Sequence, residues 1–252
     1  MKVLSLNCQR GYTEGLEVFL RNTIGGGECD FLLLQEFFGP AVSFVEKIQP
    51  YKLLQVLNQD VDQLTQTVII YRNAYHLTEQ NYLPFPKDYP DPVMGIEHST
   101  FGSLLARFET DAGQFLMGSV HLHSGMNFKV RANQIERVKE QAVAFSRPDD
   151  VTVFGGDCNF GFPWERYSAE NILRPHFVCA TRNNGATLDG RYSEDVPHLP
   201  NRIAATLGRL GIAARLSTDH IFVNVNSNNL MDFKTRVLPD RVSDHSPVEL
   251  VF

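Results

Sequence analysis

Short apolar runs bounded by turn residues recur along the whole chain. They lie at Val3 to Cys8, Phe31 to Leu34, Tyr51 to Leu57, Thr67 to Tyr71, Leu104 to Phe108 and Phe115 to Leu122, then at Val151 to Phe154, His220 to Val225, Phe233 to Leu238 and Pro247 to Phe252. Runs of this length, alternating or continuously apolar, read as strands. Helical patterns interrupt them at Gly15 to Ile24, at Val42 to Ile48, where Ile135, Val138, Ala142 and Phe145 recur at spacings of three and four, and at Asn201 to Leu210. Helices that separate some strands while other strands follow each other directly imply an α/β fold of two packed mixed sheets between helical layers. With 252 residues, 43% of them hydrophobic, the chain can bury a sizeable core, and a single domain over 1–252 is expected. The Pro-rich stretch from Pro84 to Pro92, with the loop expected to follow it to Ser99, is a candidate insertion too short to divide domains.

A formal charge of −6 argues against a protein that coats nucleic acid by bulk electrostatics, while leaving room for a local basic groove. Lys129 to Arg147 holds five basic residues against Glu136 and Glu140, and Asn201 to Ser217 holds three arginines and no acid. Cys8, Cys29, Cys158 and Cys179 form no Cys-x-x-Cys pair and read as reduced thiols. The opening Met-Lys-Val-Leu-Ser-Leu-Asn lacks the order of a signal peptide, and no apolar run approaches a membrane span of about 18 residues. A cytoplasmic monomer without a membrane span is expected.

The sharpest local signal is Val-Thr-Val-Phe-Gly-Gly-Asp157-Cys-Asn159-Phe, an apolar strand that ends in two glycines. In extended chain Asp157 and Asn159 share one face and Cys158 points the other way. A carboxylate beside an amide at such a strand end can take a proton from water while the amide holds a phosphoryl oxygen; an Asx turn closing the strand explains the pair equally well. Asp30-Phe-Leu-Leu-Leu-Gln-Glu36 is an almost fully apolar strand with an acid at its end, a place where a hard oxygen ligand suits Mg²⁺, or a glutamate is simply solvated. Ser-Val-His121-Leu-His123 and Ser243-Asp244-His245-Ser-Pro each offer an imidazole at a strand end, the second beside a carboxylate that could bind metal. Asn7 and Asp219 complete the set with weaker individual signals.

In order, Ser-Leu-Asn7, Leu-Leu-Gln-Glu36, Ser-Val-His121-Leu, Gly-Gly-Asp157-Cys-Asn159, Thr-Asp219-His-Ile-Phe-Val and Ser-Asp244-His245-Ser-Pro resemble the successive motifs of the endonuclease/exonuclease/phosphatase superfamily, from residue 5 to residue 247. The resemblance implies a four-layer α/β sandwich like that of pancreatic-type deoxyribonuclease, with every motif on a loop at one sheet end. It implies Mg²⁺, with Mn²⁺ as the alternative, held by Glu36 with help from Asn7 and Asp244. It also implies roles. Asp157 would orient or deprotonate the attacking water, Asn159 would fix that water and a phosphoryl oxygen, and His121 and His245, the latter held by Asp219, would face the scissile phosphate.

The resemblance leaves the substrate open. Inositol polyphosphate 5-phosphatases carry an Arg shortly after Gly-Asp-x-Asn-Phe and a Trp-x-Asp-Arg element, where this chain has Gly161 and Ser-Thr-Asp219-His220. Abasic-site endonucleases usually carry an acid and a Tyr where Gln9 and His121 stand. The chain is thus nearer the deoxyribonuclease, tyrosyl-DNA phosphodiesterase and sphingomyelinase branches. Arg10, Arg131 and Arg182 are candidate phosphate contacts and Trp164 a candidate base contact, with surface solvation or loop packing as the alternatives. A nucleic-acid phosphodiesterase is expected, ahead of a small-molecule or lipid phosphoesterase and of a catalytically silent binding module.

Overall fold

The computed structural model describes residues 1–8, 14–27, 29–38, 45, 47–48, 50–55, 65–85, 102–123, 127–160, 162–185, 187–189, 215–224, 232–239, 243 and 245–252. The helix expected over Asn201 to Leu210, most of that over Val42 to Ile48 and most of the Pro84 to Ser99 insertion lie outside these residues, as do Arg10 and Asp244.

One six-stranded sheet contains β1 (Lys2–Asn7), β2 (Phe31–Phe38), β3 (Tyr51–Gln55), β4 (Thr65–Arg72), β13 (Lys234–Val237) and β14 (Val248–Val251), in the order β13-β14-β1-β2-β4-β3. The other contains β5 (His76–Pro84), β6 (Gly102–Thr110), β7 (Gly113–His121), β8 (Val151–Asp157), β9 (Phe177–Cys179) and β12 (Asp219–Asn224), in the order β5-β6-β7-β8-β12-β9. A short pair, β10 (Leu188–Asp189) and β11 (Arg215–Leu216), stands apart. Both large sheets are mixed: β1 runs parallel to β2 and β7 parallel to β8, among otherwise antiparallel neighbours.

Strand alternation builds the layers. Val3, Phe31, Leu33, Ile69, Val248 and Leu250 of the first sheet meet Leu104, Phe108, Met117, Val153 and Ile221 of the second in one buried cluster. The intervening residues face outward. Leu4, Leu6, Leu32, Leu34, Val68 and Ile70 bury against Leu16, Leu20 and Ile24 of α1 (Glu14–Gly25). Leu105, Leu116, Phe154 and Phe222 bury against Ile135, Val138 and Ala142 of α2 (Phe128–Phe145) and Ala169 and Leu173 of α3 (Pro163–Leu173). The result is the expected four-layer α/β sandwich, helix on sheet on sheet on helices. No helix among the described residues is long and apolar enough to cross a membrane.

The helix read from Ile135 onward begins earlier, at Phe128, where the Asn127 side chain accepts the Lys129 N–H at 3.1 Å and caps it. Trp164, for which loop packing was the alternative to a base contact, lies in the first turn of α3, after Pro163. Proline fits there because the first helical N–H has no intrahelical partner to lose.

The two glycines before Asp157 have a steric cause. A Cβ on Gly156, whose φ is +154°, would lie 1.9 Å from the Val120 carbonyl oxygen, and one on Gly155 would lie 2.8 Å from that of His220. Both neighbours are backbone of flanking strands and cannot swing aside. Gly156→Ala should therefore destabilise the fold by about 3 kcal/mol or more, whereas Gly185→Ala, with nothing within 4 Å, meets no clash. Thermal melts of the two variants check this, and a Gly156→Ala protein melting within about 2 °C of wild type would refute the close approach.

Candidate active site

Topology carries the candidate residues to one edge. Asn7 ends β1, and β2, parallel to β1, carries Glu36; His121 ends β7, and Asp157 ends β8, which runs parallel to β7. Asp219 opens β12 directly opposite Asp157 on the antiparallel partner, and His245 precedes β14, antiparallel to β1. Strand direction alone thus brings both sheets' contributions together.

The contacts close the group. The Asn7 amide nitrogen donates to Asp157 Oδ2 at 2.8 Å, crossing from one sheet to the other. His245 Nδ1 lies 2.7 Å from Asp219 Oδ2, which also accepts the Thr218 hydroxyl at 3.0 Å. His245 Nε2 lies 3.9 Å from Asp157 Oδ2, and so does His121 Nε2, which is also 3.6 Å from Glu36 Oε1. Ser243 donates its hydroxyl to the Asn7 carbonyl at 2.7 Å and accepts the His245 N–H at 2.9 Å, which ties the histidine turn to the end of β1. Asn7, Glu36, His121, Asp157, Asp219 and His245 are therefore linked by direct contacts.

Two residues reach the site otherwise than the sequence suggests. Asn159 does not continue an extended strand but adopts a left-handed φ of 53°; its N–H bonds Asp157 Oδ1 at 2.9 Å and its side-chain amide donates to Leu122 O at 2.9 Å. The Asx turn posed as an alternative is thus present, and it orients Asp157 and Asn159 together. Glu36 does not lie beyond its strand. It sits within β2, in a bulge between Leu34 and Phe37, at φ 49°. That conformation is costly for a residue with a Cβ and turns the side chain out of the pleat. The expectation that every motif lies on a loop is corrected accordingly: strand ends and a bulge hold most of them.

Sequence reading missed Gln35 and Ser119. Gln35 donates to Ser119 Oγ at 3.0 Å and Ser119 donates to Leu34 O at 3.1 Å, a buried bridge from β7 to the residues just before Glu36. Their only sequence signal is a polar residue at an inward position of an otherwise apolar strand.

Burial governs the electrostatics. It pushes the Asp157 carboxyl up to about 7, with the Asp219 charge adding to the rise while His245 and the Asn7 and Asn159 donors oppose it. Burial also pushes Asp219 upward, but the charge of His245 and hydrogen bonding to His245, Thr187 and Thr218 outweigh it and hold that carboxyl below its ordinary value. Asp157, Asp219 and His245 place ligand atoms within 4.8 Å of one another. The 2.7 Å contact between His245 Nδ1 and Asp219 requires a shared proton there, which leaves His245 Nε2 as the ring atom open to another partner.

The basic residues divide. Arg131, expected to contact phosphate, is buried; its Nη2 bonds Glu165 Oε1 at 2.5 Å and its Nη1 reaches His123 O at 3.4 Å. Counting charge along the sequence could not show that α2 turns it inward to be neutralised by α3. Arg182 is half exposed, with Nε 3.6 Å from Glu170. Trp164 is 54% exposed and rests its edge against Phe128.

The fold is shared with solved structures that include endonuclease/exonuclease/phosphatase proteins. Solved structures similar to the chain include TDP2 of D. rerio complexed with a single-strand DNA product, at 16% identity over 99% of this chain and 97% of that one, with a TM-score of 0.74. Another is the mannosyl-6-phosphatase Bt3783 of Bacteroides thetaiotaomicron, at 17% identity over the full length of both chains and a TM-score of 0.71. An endonuclease/exonuclease/phosphatase from Bacteroides vulgatus has 15% identity over 100% of this chain and 98% of that one, also with a TM-score of 0.71. No family model matches the sequence, and neither does any curated relative.

His220, beside Asp219, is a different kind of histidine. It is fully buried, with Nε2 2.9 Å from Ser217 O and Nδ1 3.2 Å from Thr181 Oγ1, and burial lowers its pKa to about 4. Unfolded, it titrates near 6.5, so its contribution to stability is full above that pH and is lost as pH falls from about 6.5 through 4, reaching on the order of 3 kcal/mol. Denaturant unfolding at pH 7 and pH 4 should therefore show the stability gap between wild type and His220→Gln narrowing by about that amount. A gap that stays constant with pH would mean that His220 is not held neutral in the fold.

Proposed function

We propose that this chain is a metal-dependent phosphodiesterase acting on nucleic acid. One observation carries the hydrolytic reading: Asn7, Glu36, His121, Asp157, Asp219 and His245, spread over the whole sequence, meet at the edge shared by two sheets with their polar atoms within 4 Å of a neighbour. A core needs no such group, and burying it costs stability.

The donor set fits a hard divalent cation at Glu36 and Asn7. The Glu36 side chain is 18% exposed and held by a left-handed bulge, so its carboxylate is open to solvent yet fixed in direction. Asn7 commits its amide nitrogen to Asp157, so the atom it can offer a cation is its carbonyl oxygen. Oxygen donors with room for water are what Mg²⁺ prefers, and Mn²⁺ would be accepted on the same grounds. Asp244 would be a third donor. When bound there, the metal would supply positive charge against a phosphoryl oxygen.

The chain's own residues do the rest. Asp157 accepts two N–H donors that fix its plane, and burial makes it basic enough to take a proton from water near neutral pH. Asn159 is positioned by the same turn to orient that water. His245, with Nδ1 engaged by Asp219, directs Nε2 into the cleft, where an imidazolium stabilises charge developing on the phosphate or delivers a proton to the leaving oxygen. His121, between Glu36 and Asp157, serves the same oxyanion from the other side.

The nucleic-acid assignment is supported by the exposed Trp164, five residues after Asn159, by the half-exposed Arg182 and by the DNA product in the D. rerio TDP2 complex. The likeness to a mannosyl-6-phosphatase favours a small phosphomonoester as the second reading. A Mg²⁺-dependent activity panel of single- and double-stranded nucleic acids, phosphotyrosyl-DNA ends, sphingomyelin and sugar phosphates tests both, and turnover confined to the sugar phosphates would replace the first with the second.

Glu36→Gln keeps the shape of the side chain and removes its charge, so calorimetric titration should show Mg²⁺ affinity falling at least about tenfold; equal affinities would remove Glu36 from the metal site. For the hydrogen-bonded pair, Asp219→Asn and His245→Ala should each lower turnover by orders of magnitude, and the double variant by little more than the worse single one. Additive losses, or a folded Asp219→Asn protein with near-normal turnover, would show that Asp219 does not act through His245.

A further inference from the structure

We propose that Phe162 and Trp164 form a platform on which a nucleobase of the substrate stacks, next to the phosphate being cleaved. The inference deepens the nucleic-acid reading above and rests on it. Most large hydrophobic side chains among the described residues are buried, yet Phe162, Trp164 and Tyr167 are each more than half exposed, and all three lie in the first half of α3 or at its N-cap. The Phe162 and Trp164 ring planes are within 10° of parallel, with centroids 6.2 Å apart, too far for the rings to cover each other face to face. Each therefore retains open π surface.

These exposed rings are held in place. Pro163 between them fixes its own φ, the edge of Trp164 packs on Phe128 at 4.9 Å, and the Phe162 N–H bonds Glu165 Oε2 at 3.1 Å. Glu165 is in turn gripped by the buried Arg131, which bonds the carbonyl of His123, two residues after His121. The ion pair thereby ties the aromatic end of α3 to the strand that carries a candidate catalytic histidine. Rigid aromatic rings bind flat ligands at little ordering cost, which explains why exposed apolar surface would be kept here.

Reach fits a nucleotide. Phe162 is three residues after Asn159, so their Cα atoms are at most about 11 Å apart. A base on that surface can belong to the nucleotide whose phosphate occupies the cleft or to its neighbour. The half-exposed Arg182 adjoins the same helix, its Nε 3.6 Å from Glu170 and its carbonyl accepting from the Arg166 guanidinium at 3.1 Å. A polyanion is thus favoured over a neutral lipid surface. Stacking of this kind tolerates any base, because every base has a π face.

Trp164 is the only tryptophan, so its fluorescence reads the contact directly. In His245→Ala protein with Mg²⁺, a ten-residue oligothymidylate should quench the emission saturably, and an abasic phosphodiester of the same length should leave it nearly unchanged. Phe162→Ala should weaken oligothymidylate binding about tenfold in a displacement assay, Trp164→Phe should recover most of what Trp164→Ala loses, and Tyr167→Ala, on the same helix, should change neither. Equal quenching by the abasic chain, no quenching at all, or quenching only by phosphatidylcholine vesicles or mannose 6-phosphate overturns the platform. DNA cleavage with an unaltered KM in Trp164→Ala overturns the platform and leaves the nucleic-acid reading standing; base-dependent quenching without cleavage of any nucleic acid overturns that reading and, with it, a platform for its substrate.

Discussion

The hydrogen bond from Asn7 to Asp157 joins two sheets whose shared interior is mostly apolar, beside a second polar link from Gln35 to Ser119. Along the inner faces, strand alternation that gives Val3, Phe31, Leu33, Met117 and Val153 deep in the sandwich gives Ser5, Asn7, Gln35, Ser119 and Asp157 toward one edge. Those polar residues are buried, and a buried polar group is tolerated only when it finds partners. The Asn7 amide and Asp157 Oδ2 find each other across the gap between the sheets. Registry of one sheet on the other is therefore set at the same place as the chemistry, and a shift of either sheet would separate the two halves of the site.

The same edge concentrates backbone that other sequences would avoid. Glu36 and Asn159 are the non-glycine residues with positive φ among the described residues, and both flank the cleft. Gly156 lets the end of β8 pass beside the Val120 carbonyl, which places Asp157 in register with His121. The Gln35 to Ser119 to Leu34 bridge braces the start of the Glu36 bulge from the opposite sheet. Strain of this kind persists only where the surroundings over-determine it, and here they do so with hydrogen bonds in a dry interior.

What the sequence made legible followed from period. Strands with one or both faces buried showed as alternation or as apolar runs, and α2 showed as spacings of three and four. β5 did not show, because His-Leu-Thr-Glu-Gln-Asn-Tyr-Leu-Pro is an edge strand with little burial on either face and reads as polar chain. α3 did not show because its buried positions include Glu165 and Glu170, whose burial is intelligible only once Arg131, Arg166 and Arg182 are seen around them. The burial of Arg131 was not legible for the converse reason: linear charge counts cannot tell a cation answered by a buried acid from one facing solvent. The site residues were legible as ordered motifs, but the bulge at Glu36 and the turn at Asn159 depend on what the opposite sheet presents, and no local pattern carries that.

Asp157 and Asp219 show how environment divides the labour between identical side chains. Both are buried, directly opposite each other on β8 and β12, and both lie beside His245. Asp219 has three side-chain partners in His245, Thr187 and Thr218, and its carboxyl is held below the ordinary range. Asp157 has an amide and a backbone N–H, faces the Asp219 charge, and is driven up to about 7. Two like charges this close in a dry site cannot both be stabilised by one imidazole, so the carboxylate with more hydrogen-bond donors keeps its charge and the other is left the more basic. Displacement of two neighbouring carboxyls in opposite directions is the usual signature of an acid and base pair assigned by surroundings rather than by residue type. On the proposed function, Asp219 would be the fixed negative partner that orients His245, and Asp157 the group that exchanges a proton with water near neutral pH.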